Sequence, residues 1–237
     1  MTTGATVERG LLGRVRAILT DPESLRSWTL VANDGIIATA GILEGFAGAG
    51  ATPQALLLAA SVATIAGMLA AGGAKWSEIE AEREAQRRAV AAEAASLALR
   101  PEAELAELIA YYEAKGLSPE LARETARQLT AHDAVAAQLE SEHGILDVIS
   151  PTEAIVAGIG ASAAYALGAA IPLLITIVAP YAIETWAIFV AVIASLVVTS
   201  IVGARTGHMD VRRTVARTLV VGIGTMAVSY AVGLVVF

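Results

Sequence analysis

Met68-Leu-Ala-Ala-Gly-Gly-Ala-Lys-Trp-Ser-Glu-Ile-Glu-Ala-Glu-Arg-Glu-Ala-Gln-Arg-Arg88 passes from an apolar run into dense charge with no helix breaker where the charge begins. From Ser77 onward it is built of Ala, Glu and Arg, which are good helix formers. The stretch predicts a single helix that starts among apolar groups and ends in water. The rest of the chain sorts by whether it resembles the first half of this stretch or the second.

The chain has 237 residues, of which 56% are hydrophobic and 16% charged, with a mean hydropathy of +0.64. Ordinary soluble domains carry about 25% charged residues, so the deficit points to lipid. The charge is also unevenly spread. Residues 77–149 hold fifteen acids and seven bases, about −8, while the remainder is close to neutral. The basic excess of a nucleic-acid binder is absent. There is no cysteine, so disulfides and thiolate metal sites are excluded, and any metal site must draw on carboxylate, imidazole, thioether or carbonyl ligands. Residues 1–26 do not read as a signal peptide, because Arg9, Arg14, Arg16 and Arg26 are mixed with acids and no early apolar core is present.

A membrane-crossing helix needs roughly 20 predominantly apolar residues. Five segments qualify: about Trp28 to Ala49, Pro53 to Lys75, Thr152 to Val178, Tyr181 to Gly203 and Val215 to Phe237. The turn at 48–53 separates the first two, with Thr52 as a cap and Pro53 at the first helical position, and Ala179-Pro180 separates the third and fourth. Lys and Arg concentrate on cytoplasmic flanks. Here they lie before span one, between spans two and three, or in and beside the loop between spans four and five, where Arg205, Arg212, Arg213 and Arg217 cluster. The loops at 48–54 and 179–181 have none. This distribution predicts a cytoplasmic N-terminus and insert, and an external C-terminus.

The expected fold is an all-α membrane protein: five transmembrane helices, with a three-helix cytosolic domain inserted between spans two and three. Its parts are a cytosolic N-terminal segment at 1–27, spans one and two at 28–76, the acidic insert at 77–149 and spans three to five at 150–237. Within the insert, the extension of span two runs to about Leu99. Pro101 opens a second helix ending near Ala114, and Ser118 caps a third, with Pro119 at its first position, running to about Glu142. About 70 residues is small for an independent core, so the insert is expected to lean on a partner copy or on ligands.

Candidate chemistry is mostly carboxylate. Asp34 sits inside the first span, where an acid costs a few kcal/mol and usually lines an ion or proton path. The competing reading is a cap for a helix break at Gly35. Glu44 is about 15 Å further along and roughly 80° round the helix, a second station for a cation or else an outward-snorkelling side chain. Met68 offers a thioether suited to transition metals, although a methionine in an apolar span commonly serves packing. In the insert, Glu104 and Glu107 stand at i, i+3 and can converge on one ion, and Glu93, Glu140, Glu142 and His143 can complete a carboxylate-rich site if the helices pack together. Glu78, Glu80, Glu82 and Glu84 read as a solvated face. Gly41-Ile-Leu-Glu-Gly45 and the small residues Ala157, Gly160, Ala161, Ala164 and Gly168 permit close helix approach, within one protomer or between two. No phosphate loop, H-E-x-x-H or Ser/His/Asp arrangement is present, so an enzyme is not expected.

Several stretches together resemble the vacuolar iron transporter family: Asn33-Asp-Gly-Ile-Ile-Ala-Thr-Ala40, Gly48-Ala-Gly50, Met68-Leu-Ala-Ala-Gly72, Pro101-Glu-Ala-Glu-Leu-Ala-Glu-Leu108, Tyr112-Glu-Ala-Lys-Gly116 and Gly168-Ala-Ala-Ile-Pro172. The resemblance runs from about residue 28 to the end. It implies a homodimeric proton-coupled antiporter moving Fe²⁺, and often Mn²⁺, out of the cytosol, with no prosthetic group. The membrane would be the plasma membrane in a bacterium and vacuolar-type in a eukaryote. Asp34 matches the family's first-span transport aspartate, and Glu93, Glu104, Glu107 and Glu142 match its metal-collecting glutamates. The chain departs from the family pattern at Gly73, where relatives carry Glu, and at Leu69, where the family methionine falls one residue after Met68. It departs again at Ser96, in place of a glutamate, and at Gln138 and Leu139, near methionine positions. These departures leave a non-transporting, membrane-anchored metal-sensing or scaffold protein as the alternative.

Overall fold

The junction at Ser77 is continuous helix in the computed structural model, which describes residues 22–179 and 183–236. The elements are α1 (Pro22–Gly48), α2 (Pro53–Leu99), α3 (Pro101–Ala114), α4 (Pro119–Gln138), a π-helical turn (Leu139–His143), α5 (Pro151–Val178), α6 (Glu184–Thr206) and α7 (Val211–Val236). At 47 residues, α2 is about 70 Å long, and a hydrocarbon core of about 30 Å can hold less than half of it. Helices α1, α2, α5, α6 and α7 each contain a stretch long and apolar enough to cross a membrane. Pro180 of the expected break, the expected start at Tyr181, the end at Phe237 and the arginines at 9, 14 and 16 lie outside the described residues.

The helix boundaries follow local chemistry. α1 closes with Gly50 at φ +67° and the bond Ala51 N–H to Phe46 C=O at 3.0 Å, the six-to-one closure that a left-handed residue permits. Thr52 Oγ1 then accepts from Ala55 N–H at 3.4 Å, with Pro53 next in line. Ser150 and Glu153 form a reciprocal capping box before α5: Ser150 N–H donates to Glu153 Oε2 at 3.1 Å, and Glu153 N–H to Ser150 Oγ at 3.3 Å.

The chain divides into two compact units, one formed by the segments up to Trp76 and from Ile155, the other by Ser77–Ala154. In the first, α1 supplies Ile36, Ala40 and Leu43 to a core shared with Leu56 and Ala60 of α2, Ile188, Val192 and Leu196 of α6 and Met226 of α7. Glycines set the helix spacing around α1. A Cβ on Gly35 would stand 2.2 Å from the Tyr165 carbonyl oxygen, and one on Gly168 would stand 2.0 Å from that of Ala32. On the opposite contact, a Cβ on Gly48 would meet the Tyr230 carbonyl at 2.4 Å, and one on Gly233 the Gly45 carbonyl at 2.1 Å. The Gly41–Gly45 pair and the small residues of α5 are therefore used within the protomer, a choice the spacing alone leaves open.

In the second unit, Leu108, Ala126 and Ala137 form a small buried cluster, flanked by Leu105, Ile109, Tyr112 and Leu129. Ser118 Oγ accepts from Leu121 N–H at 3.4 Å to start α4, as its sequence predicts. The end of that helix differs from expectation. Asp133 takes extended angles (φ −156°, ψ 96°), and its Oδ1 accepts from Ala136 N–H at 3.0 Å, so an acid caps a new turn inside what reads as one helix. That turn widens into the π-helical segment Leu139–His143, which Gly144 terminates at φ +65°.

Two glycines separate packing from propensity. Gly168→Ala is expected to destabilise the detergent-solubilised protein by about 1–3 kcal/mol or more, because backbone must move. A Cβ on Gly73 meets nothing within 4 Å, so Gly73→Ala is expected to be neutral or stabilising by up to about 1 kcal/mol. Thermal unfolding followed by circular dichroism tests the pair, and equal loss in both variants contradicts this packing.

Candidate functional site

Glu93 on α2, Glu104 and Glu107 on α3 and Glu142 and His143 in the π turn are brought together in the Ser77–Ala154 unit. One ligand atom from each of Glu93, Glu142 and His143 lies within 4.8 Å of the others, and the same holds for Glu104, Glu107 and Glu142. Glu142 belongs to both groups. Glu93 and Glu104 are buried, at 6% and 2% exposure, whereas Glu107, Glu142 and His143 reach solvent.

The two buried acids are held differently. Glu104 Oε1 accepts from Ser96 Oγ and, at 3.5 Å, from the Arg100 guanidinium. Its Oε2 accepts from Gln138 Nε2 at 3.3 Å, and the same amide donates to the Glu104 backbone carbonyl at 2.6 Å. Ser96 and Gln138, two of the positions that depart from the family pattern, are thus neutral donors converging on one carboxylate. Glu93 has no such support. Its Oε1 is 3.4 Å from His143 Nε2, and its Oε2 is buried without a hydrogen-bond partner. Although Glu142 reaches solvent, partial desolvation pushes its carboxyl above the ordinary range, and the charges of Glu93, Glu107 and Glu104 and a hydrogen bond with Glu107 raise it further. Crowded carboxylates of this kind repel one another unless protons or a cation neutralise them.

The remaining insert acids do other things. Glu140 lies beside Tyr112, whose phenol is raised first by burial and then by the Glu140 charge. Glu80 and Glu84 pair with Arg83 and Arg88 along the surface of α2, as a solvated face should.

In the membrane-type unit, Asn33-Asp34-Gly35 divides its work by residue. Asn33 Oδ1 accepts from Thr199 Oγ1 of α6, Gly35 admits the α5 backbone at Tyr165, and Asp34 faces a cavity of about 190 Å³. Arg26, Asn33, Met209, Thr214 and Arg217 also line that cavity. α1 is unbroken through Gly35, so the alternative role for Asp34, capping a helix break, is not taken up. Glu44 lies about 15 Å along the same helix, 4% exposed, with Oε1 unpartnered. Met68 is half-buried on α2 and is not among the residues lining the Asp34 cavity, whereas Met209 is. Met209 stands in a loop between spans, where no periodicity marks it, and only the packing of α7 against α1 brings it to the Asp34 cavity.

The model of the VIT family matches residues 25–234, nearly the whole described chain. The chain belongs to the vacuolar iron transporter family. No individually curated protein matches it. Family membership together with five apolar helices makes this VIT protein a multi-pass membrane protein of a metal-ion transport family, and members of that family are transporters rather than enzymes.

The elevated Glu142 carboxyl carries a pH signature. A carboxyl raised on folding adds stability below the ordinary glutamate range and loses it as pH rises through the raised value. In metal-free, chelator-treated VIT protein, Glu142→Gln is expected to raise the melting temperature at pH 7.5, with the gain vanishing near about pH 4, in the ordinary glutamate range. A gain that is independent of pH contradicts the assigned repulsion.

Proposed function

We propose that this VIT protein is a proton-coupled antiporter that exports Fe²⁺ or Mn²⁺ from the cytosol. The observation that carries the reading is the convergence of four acids, Glu93, Glu104, Glu107 and Glu142, from three separate segments onto one cluster. Oxygen-rich clusters of this kind suit divalent ions. The cluster gathers the ion on the cytosolic side, and Asp34 passes it into the membrane, with Met68 on α2 and Glu44 further along α1 as the other path residues. Coupling to protons arises because a carboxylate that holds a metal ion must give up its proton, so each cargo displaces the other.

The distribution of Lys and Arg supports an orientation with the N-terminus and residues 77–149 in the cytosol and the C-terminus outside. The same reading makes the protein a homodimer, in the plasma membrane of a bacterium or a vacuolar-type membrane of a eukaryote. A second reading, a membrane-anchored metal sensor or scaffold that does not transport, is favoured by one observation: Met68 stands apart from the Asp34 cavity.

Reconstitution into liposomes containing a metal-sensitive dye separates the two. Transport predicts Fe²⁺ or Mn²⁺ uptake that follows the imposed proton gradient, falls to the empty-liposome level in Asp34→Ala, and weakens in Glu107→Gln. Uptake by the wild-type protein no greater than that of empty liposomes, under every gradient, refutes transport and leaves the sensor.

A further inference from the structure

We propose that His143 is itself a metal ligand, forming with Glu93 and Glu142 a nitrogen-containing subsite that prefers a first-row transition-metal dication to Mg²⁺ or Ca²⁺. The proposal rests on the reading of this cluster as a divalent-metal site and adds the atom that selects among divalent metals.

Glu93 points to a ligand that is not a protein group. It is 94% buried by its 6% exposure, yet its Oε2 has no hydrogen-bond partner, and buried polar atoms are ordinarily paired. The neighbouring His143 does not supply what is missing. At 3.4 Å from Oε1, Nε2 is beyond the usual range for an N–H···O hydrogen bond, so the pair is not closed on itself. The spacing suits an ion between them. Two ligand atoms each about 2.1 Å from a metal and 3.4 Å apart subtend about 108°, close to the tetrahedral angle. A Glu142 oxygen lies within 4.8 Å of a carboxylate oxygen of Glu93 and a ring nitrogen of His143, near enough to be a third ligand.

The other half of the cluster is less available. Both Glu104 oxygens already accept from protein donors, Ser96 and Arg100 on one and Gln138 on the other. Of the two buried acids of the cluster, the one with an unpartnered oxygen is therefore on the side that carries the imidazole. Mg²⁺ and Ca²⁺ take oxygen ligands, whereas first-row transition-metal dications also accept imidazole, with affinity for a given site rising from Mn²⁺ through Fe²⁺ and beyond. The π turn makes the arrangement possible. Consecutive residues of an α-helix diverge by about 100°, and here Glu142 and His143 both reach Glu93 from a widened turn that Gly144 closes at φ +65°.

Pulsed electron paramagnetic resonance on the full-length protein in detergent, with any affinity tag removed and Mn²⁺ bound, tests the assignment. The expected result is an imidazole ¹⁴N coupling in wild type that is lost in His143→Gln. Mn²⁺ affinity should also fall about tenfold or more, with Mg²⁺ affinity unchanged. His143→Asp, which keeps a ligand but no nitrogen, should bind Mn²⁺ without the coupling. Bound Mn²⁺ with no ¹⁴N coupling in wild type, or the same coupling in His143→Gln, overturns the proposal while leaving the carboxylate cluster standing. Failure of wild type to bind Mn²⁺ at all overturns the cluster reading and this proposal with it.

Discussion

Carbonyl oxygens of one helix occupy the places where side chains of the next would begin, and the membrane-type unit depends on that contact. Tyr165 and Ala32 face Gly35 and Gly168, and Tyr230 and Gly45 face Gly48 and Gly233. In lipid there is little hydrophobic drive to bring helices together, so close backbone approach and dispersion must hold them. α1 is flanked on both sides by such contacts. That fixes the rotation of α1, and with it the faces on which Asn33, Asp34 and Glu44 stand. Asn33 is spent on Thr199 and Gly35 on Tyr165, which leaves Asp34 as the acid of the triplet in a cavity that Asn33 also lines. A larger residue at Gly35 would damage the site without touching the acid.

The Ser77–Ala154 unit follows a different logic. Its apolar core is small, and its most buried polar residues are Glu93, Glu104 and Gln138. Apolar burial at roughly 25 cal/mol per Å² from so few side chains gives a limited stabilisation, and the crowding of like charges opposes it. Ser96, Arg100 and Gln138 offset part of that cost at Glu104 by donating hydrogen bonds. No comparable donor serves Glu93 Oε2. The departures from the family pattern at Ser96 and Gln138 thus acquire a common physical sense. They turn one acid of the cluster inward to protein donors and leave another reaching toward an imidazole.

Much of the fold is legible in the sequence because its signals are local or additive. Twenty apolar residues in a row, Pro at a first helical position, Ser118 before Pro119 and Gly116 after Lys115 each act within a turn or two, and the elements begin and end close to them. The continuity of α2 through Ser77 was equally readable, since no residue there prevents a helix. Asp133 shows where local reading stops. An aspartate in an Ala-rich helix is compatible with helix or break, and packing chose the break, with Oδ1 capping the turn that follows.

By itself, then, the sequence determined the number and order of the apolar helices, the place of the acidic insert and the set of acids available for metal chemistry. The tertiary structure decided which of those acids meet. Glu93, Glu104 and Glu142 lie on three segments separated by 11 and 38 residues, and no periodicity relates them. It also decided that His143 joins Glu93 while Glu140 falls in neither ligand group, that the glycine and small-residue stripes close helices of one chain on each other, and that Met209 rather than Met68 shares the Asp34 cavity. The reason is the same in each case. Residue spacing specifies a face of one helix, and only packing specifies what that face meets.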